Sequence, residues 1–240
     1  MPGEQSDPIK DTAESTQSPA VIQFSSILPR LSLKAGLAVF LLAGLFLFLL
    51  SHVNDLLIHT LIELSSIVLL TAAFLLGWNT RHLVRSQFFV ILTAGFFATG
   101  SVDLLLTLTY EGMQVLPAGT ADTANQLWLI ARTIGAIAFL CAILSLENKV
   151  HFTAKEWLLG FLCGGTGILT TVWPLEIFPA CLAEGGGQTP FKIYGEYLIT
   201  GLLCLAAGLI WFRKQYVNRH IMVLLLIAIG LSAASELLLI

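Results

Sequence analysis

Six side chains in this 240-residue sequence can do chemistry and stand in stretches that otherwise cannot: His59, Glu63, Asp103, Arg132, Glu196 and Glu236. A histidine and a carboxylate four positions apart share one helix face. His59 and Glu63 therefore suit a hydrogen-bonded pair or two ligands of a metal ion, and they are the metal candidates. Asp103 and Arg132 suit a mutually neutralising ion pair. Burial cost alone favours plain roles for all six: two pairs that join helices, Glu196 solvated at an interface, and Glu236 exposed or cap-like. No nucleophile, base and orienting group can be read together, and no cofactor is readable.

The elements that carry these residues follow from composition. The chain is 56% hydrophobic and 11% charged, with a mean hydropathy of +0.85. A soluble domain carries about 25% charged residues, so a water-soluble fold could not hide this much apolar surface. A membrane helix needs roughly 20 mostly apolar residues, and lipid admits only helices or closed barrels. The apolar runs are continuous rather than alternating, which selects helices. Seven runs can be marked, at about 32–51, 56–79, 87–109, 124–146, 156–177, 193–212 and 219–240. The fifth is the most interrupted, by Gly164, Gly165, Gly167 and Pro174. The expected fold is all-α, a polytopic transmembrane helical bundle of about seven spans. Residues 1–31 are polar and rich in Pro, Ser and Thr, and read as a disordered cytoplasmic tail with no signal peptide. Residues 32–240 form the transmembrane domain.

Orientation follows from basic residues. Lys10, Arg30, Lys34, Arg81, Arg85, Lys149, Lys155, Arg213, Lys214 and Arg219 fall on one set of alternate connections, and Lys192 alone on the other. This excess places the N-terminus in the cytoplasm. At about 1.5 Å per residue, the six ionisable groups then lie within roughly 12 Å of the outer surface. The inner parts of the same runs are apolar. A pocket open to the outside would place them so. The net charge of −3, without any basic run, gives no nucleic-acid surface. Of the four cysteines, Cys141, Cys163 and Cys204 lie in apolar runs and read as core residues, while Cys181 lies in a loop. Trp78, Tyr110, Trp128, Trp157, Trp173, Tyr194 and Trp211 fall near run ends, as interfacial aromatic belts do.

Several segments resemble the third class of membrane-associated sensor domains, the MASE type. They are HTLIELSSIV (59–68), WNTR (78–81), VDLLLTLTYEGM (102–113), QLWLIAR (126–132), GQTPFKIYGEYLI (187–199) and SELLL (235–239), in that order. The resemblance covers most of 56–240. It implies functional roles for His59, Glu63, Asp103, Gln126, Trp128, Arg132, Pro190, Phe191, Lys192, Glu196, Tyr197 and Glu236. The ligand-binding set taken from it is His59, Glu63, Asp103, Gln126, Trp128, Arg132, Glu196 and Glu236. Two places depart. Leu106 stands where the family usually has a histidine, and Thr133 and Gly135 stand where it tends to have Tyr and Glu.

Such domains are input modules of bacterial histidine kinases and cyclic di-GMP enzymes. The expectation is a sensor in the bacterial inner membrane that binds a small ligand or ion and signals to a cytoplasmic enzyme, in the same chain or separate. Lipid and a second copy of the chain are the other expected partners. The family continues through an eighth helix into an output domain, and this sequence stops first. The chain itself is expected not to be an enzyme: no phosphate loop, kinase core or GGDEF-like stretch is present. A small-solute transporter and an assembly protein with a degenerate pocket are the competing readings.

Overall fold

The computed structural model describes residues 55–83, 86–110, 115, 120–147, 152–183 and 185–239, with Ala38, Leu42, Gly44 and Leu45, which are helical. The expected tail at 1–31, most of the span at 32–51, and Lys10, Arg30, Lys34, Arg85 and Lys149 lie outside the described residues. The chain divides into two compact units, Met1–Val53 and Asn54–Ile240.

The second unit is built from six α-helices: α1 Asp55–Thr80, α2 Gln87–Thr109, α3 Ala121–Leu144, α4 Ala154–Val172, α5 Pro190–Phe212 and α6 Arg219–Leu239. All but α4 are long and apolar enough to cross a membrane. The expected count of about seven is therefore five among the described residues. α4 has 19 residues, carries Lys155 and Glu156 in its first turn, and runs unbroken through Gly160, Gly164, Gly165 and Gly167.

The helix starts have local causes. Thr120 caps α3, its hydroxyl accepting from the Thr123 N–H at 3.1 Å. Thr189 caps α5, with Pro190 in the first turn, where its missing N–H costs nothing. These threonines move both starts three residues ahead of the expected 124 and 193. Thr153 and Glu156 form a reciprocal capping box on α4, and Glu156 is held below the usual carboxylate range by its hydrogen bonds to Thr153. α4 ends at Val172 rather than at 177, because Trp173 precedes Pro174 and such a residue disfavours helix.

α3 is the centre, packed against α2, α4 and α5. α1 packs mainly on α2, and α6 mainly on α5. Ile91, Leu127, Ile143, Ile199 and Ile210 are fully buried along the middle, while leucines such as Leu69, Leu76, Leu224 and Leu231 on the outer helices face outward. Cys163 and Cys204 also face outward, which corrects their reading as core residues. Lipid accepts a small apolar side chain as readily as the core does.

Close approach of backbones depends on missing side chains. A Cβ on Gly95 would lie 2.2 Å from the Ala138 Cβ, and one on Gly77 would lie 2.1 Å from the Thr93 methyl. Membrane helices associate by such small-residue contacts, because lipid removes the hydrophobic drive between them. At the end of the bundle where α3 and α5 finish, Arg213 donates to the Ile143 carbonyl at 2.9 Å and pairs with Glu147 at 3.0 Å.

Gly95→Leu should destabilise the bundle by about 1–3 kcal/mol, the range of overpacking. Gly135→Ala, whose new Cβ meets only Thr99 Oγ1 at 3.7 Å, should be neutral or stabilising. Thermal unfolding of both variants in detergent checks this. Equal losses would show that Gly95 is not a close-packing point.

Candidate functional site

α1, α3 and α5 begin, and α2, α4 and α6 finish, at one end of the bundle, and the ionisable residues gather toward it. Arg132 on α3 is the central cation. Its Nη2 lies 3.7 Å from Asp103 Oδ1 on α2, an ion pair too long for a hydrogen bond. Its guanidinium carbon lies 4.2 Å from the centroid of the Trp128 ring, one turn back. The charge of Arg132 also acts on Glu63 of α1 and Glu236 of α6. Asp103 is thus the carboxylate paired with this guanidinium, and Glu63 and Glu236 on two further helices lie within reach of its field. All three are buried.

A second cation stands beside this group. Lys192 Nζ donates to Asn125 Oδ1 at 2.5 Å and lies 3.7 Å from Glu196, one turn further along α5. Glu196 in turn interacts electrostatically with Glu236. The charged residues therefore form one seam across the bundle, from Glu63 through Asp103, Arg132, Glu236 and Glu196 to Lys192. Glu196 and Glu236 are 0% and 1% exposed. This corrects the expectation that Glu196 is solvated and Glu236 exposed or cap-like.

His59 does not pair with Glu63. Its ring stacks on Tyr110, centroids 3.9 Å apart, and its Nε2 has no hydrogen-bond partner. Among the described residues no three His, Cys, Asp or Glu side chains come close enough to hold a metal ion. Gln126 belongs to a different task. Its Nε2 donates to Asp122 Oδ2 at 3.0 Å and to the Pro179 carbonyl at 3.4 Å. Asp122 Oδ1 accepts from the N–H groups of Cys181 and Leu182, both at 2.7 Å. These bonds clamp the loop between α4 and α5 onto the start of α3. The loop turns back on itself at Gly186, whose φ of +81° favours glycine. The clamp buries Cys181, and that burial, then the charge of Asp122, pushes its thiol up to about 12.

Beside the seam lies a cavity of about 220 Å³. Leu70, Phe96, Phe139, Ile199 and Leu203 form its apolar walls; Thr99, Arg132, Ser232 and Glu236 supply its polar ones. All five membrane-crossing helices contribute. Glu236 Oε2, Thr99 Oγ1 and Arg132 Nε have no hydrogen-bond partner, nor does either oxygen of Asp103 or Glu196. Gly135 also lines the cavity, so the absence of a side chain there adds to its room. Leu106 is not on the wall. It packs in an apolar cluster with Val102, Leu127 and Ile130. Thr133 is occupied within α3, donating to the Leu129 carbonyl at 2.7 Å. Tyr197 is exposed, and Phe191 packs edge-on against Phe178 of the loop.

Asp122 and Asn125 were not among the sequence candidates. Both fall in the polar start of α3, where a carboxylate ordinarily reads as a helix-terminus charge. The lone lysine of the polar end, Lys192, was the one signal that a buried partner had to exist.

The fold is that of a polytopic membrane helical bundle, with buried charged residues and a cavity beside them. Residues 50–240 match the MASE3 family of membrane-associated sensor domains, and the chain belongs to that family. It is a multi-pass membrane protein whose outer helix faces contact lipid. No curated protein and no solved structure matches it.

Asp103 is buried and Arg132 is partly exposed, so removing one partner leaves a poorly compensated charge, at a cost below the about 3–5 kcal/mol of a fully buried pair. Asp103→Asn should therefore destabilise the fold more than Asp103→Asn combined with Arg132→Gln. Additive losses in the double-mutant cycle would remove the pair from the account. A second expectation concerns the loop. With Cys141, Cys163 and Cys204 replaced by alanine, Cys181 should resist maleimide at pH 8, where its thiol stays protonated and covered. Asp122→Ala should make it react at least tenfold faster; unchanged protection would mean the clamp does not cover the thiol.

Proposed function

We propose that this domain is a membrane-embedded sensory input module. A small ligand or ion enters the cavity at the polar end and biases two packings of the helices, and the change passes to a cytoplasmic signalling enzyme. The single observation that carries this reading is Glu236: a carboxylate 1% exposed, with an oxygen lacking any partner, on the wall of a cavity that five helices build. A buried carboxylate left unsatisfied is costly, and a guest in the cavity would satisfy it. His59, Glu63, Asp103, Trp128, Arg132 and Glu196 belong to the same site as the groups that hold its charges. Gln126 acts through the loop clamp. A ligand shifts the equilibrium by its differential affinity for the two packings.

Membership in a sensor family supports the receiving role. The end opposite Glu196 and Glu236 carries Arg81 over the Trp78 ring, Lys214 over the Trp211 ring, and Arg213. Basic residues of this kind favour the cytoplasmic face. This supports a reading in which the cavity opens to the outside and residues 1–31 are a cytoplasmic tail before a transmembrane domain at 32–240; a bacterial inner membrane is the setting that goes with that reading.

Two measurements test the proposal. Ser232→Cys, in a chain whose four native cysteines are alanine, should react with membrane-impermeant thiosulfonates in nanodiscs, and adding Gly135→Leu should suppress that reaction. Spin labels at Arg81→Cys and Arg219→Cys, at the far end, should report a changed distance distribution when Gly135→Leu fills the cavity. Failure of the Ser232→Cys thiol to react removes the accessible pocket. An identical distribution removes the transmission.

A further inference from the structure

We infer that the guest of this cavity is a small organic cation, a protonated or quaternary amine with an apolar body; this rests on the pocket reading above and names its ligand class. The first ground is charge. Four buried carboxylates, Glu63, Asp103, Glu196 and Glu236, share the seam with two cations among the described residues, Arg132 and Lys192. With all six ionised the balance is 4 − 2, two negative charges in excess, and His59 can offset one at most. An uncompensated charge in a low-dielectric interior must be met by a cation or by a proton.

The second ground is the chemistry of the wall. Glu236 Oε2 is an acceptor without a partner, and the Thr99 hydroxyl, which can accept or donate, has none either; the one unpartnered obligate donor on the wall is Arg132 Nε. An ammonium group is a donor only. Phe96 and Phe139 stand on the same wall, edge to face with centroids 6.1 Å apart. Aromatic faces attract cations and not anions. Leu70, Ile199 and Leu203 complete a lining that suits carbon rather than a hydrated ion. A bare metal ion would need several oxygen or nitrogen ligands at once, and no such set converges among the described residues. Arg132 also reaches the wall, but its guanidinium is stacked on Trp128, pairs with Asp103 and acts on Glu63 and Glu236. Three carboxylates around it leave little net attraction for an anionic guest.

The test compares labelling rates at Ser232→Cys in nanodiscs. The reagents are the trimethylammonium-ethyl thiosulfonate and the sulfonato-ethyl one, of similar size and opposite charge. Gly187→Cys on the exposed loop is the reference, since nothing lies within 4 Å of a Cβ there. The cationic-to-anionic rate ratio at 232 should exceed that at 187 by about tenfold, and Glu236→Gln should reduce it severalfold. Equal ratios at the two positions, or an anionic preference at 232, would overturn the cation while leaving the pocket. Failure of both reagents at 232 would overturn the pocket and the cation together. In the unsubstituted chain, which avoids any folding defect, millimolar benzylammonium chloride should raise the unfolding temperature and sodium benzoate at equal ionic strength should not. The reverse order, or the same shift from both salts, counts against the cation.

Discussion

Arg132 is a guanidinium that cannot shed its proton, placed on the central helix of a bundle that lipid surrounds. A cation in that position must be neutralised by residues near it: Asp103 of α2 pairs with it, and Glu63 of α1 and Glu236 of α6 feel its charge. The outer helices cannot be rotated about their axes without carrying a carboxylate away from this charge and into lipid. Electrostatics thus contributes to the rotational setting of α1 and α6. Their leucines contribute little, being as well accommodated by acyl chains as by neighbouring helices, while the close approach of Gly77 to Thr93 adds a steric constraint on α1.

The polarity of α1 and α6 is correspondingly inverted relative to a helix in water. Leu61, Leu69 and Leu76 of α1, and Leu224, Leu231 and Leu237 of α6, are exposed, while Glu63 and Glu236 are buried. The inner helices differ. α2 and α3 are packed on several sides, and their register is set by steric contacts such as Gly95 against Ala138. The bundle therefore combines a rigid interior held by close packing with outer helices held at their polar ends by charge. The cavity lies where the two regimes meet, walled by Arg132 and Gly135 from the interior and by Glu236 and Ser232 from α6.

The helices were legible because continuous apolar runs admit one solution in a bilayer. Their ends were less so, since Thr120, Thr189 and the Trp173–Pro174 step act over one or two residues, below what hydropathy can resolve. The Asp103–Arg132 pair was legible from charge and depth. The His59–Glu63 pairing was not realised, because spacing on one helix fixes a shared face but not which neighbouring helix that face meets. Tyr110, read as a belt aromatic, supplied the stacking partner for His59. Glu196 and Glu236 looked like end residues when position along the span was the only coordinate. Their burial depends on how α5 and α6 lean on α3, which no one-dimensional pattern contains. The clamp at Asp122 is hidden for the same reason: its partners are backbone N–H groups 59 and 60 residues away.

The division between packed interior and charge-held periphery bears on how a signal could move. α1 packs mainly on α2, and α6 mainly on α5, so tilting α6 requires repacking one main interface, while α1 is also held by the close approach of Gly77 to Thr93. The attraction of a buried carboxylate, Glu63 on α1 or Glu236 on α6, to the charge of Arg132 adds to what resists the tilt. A guest that changes the charge facing Glu236 changes that attraction directly, with no wire of packed side chains required between cavity and far end. Helix α6 is 21 residues long, about 30 Å at the helical rise, so a small rotation about its Glu236 end is amplified into a larger displacement at Arg219. On the proposed function, charge placed near one end of α6 would couple the cavity to its far end.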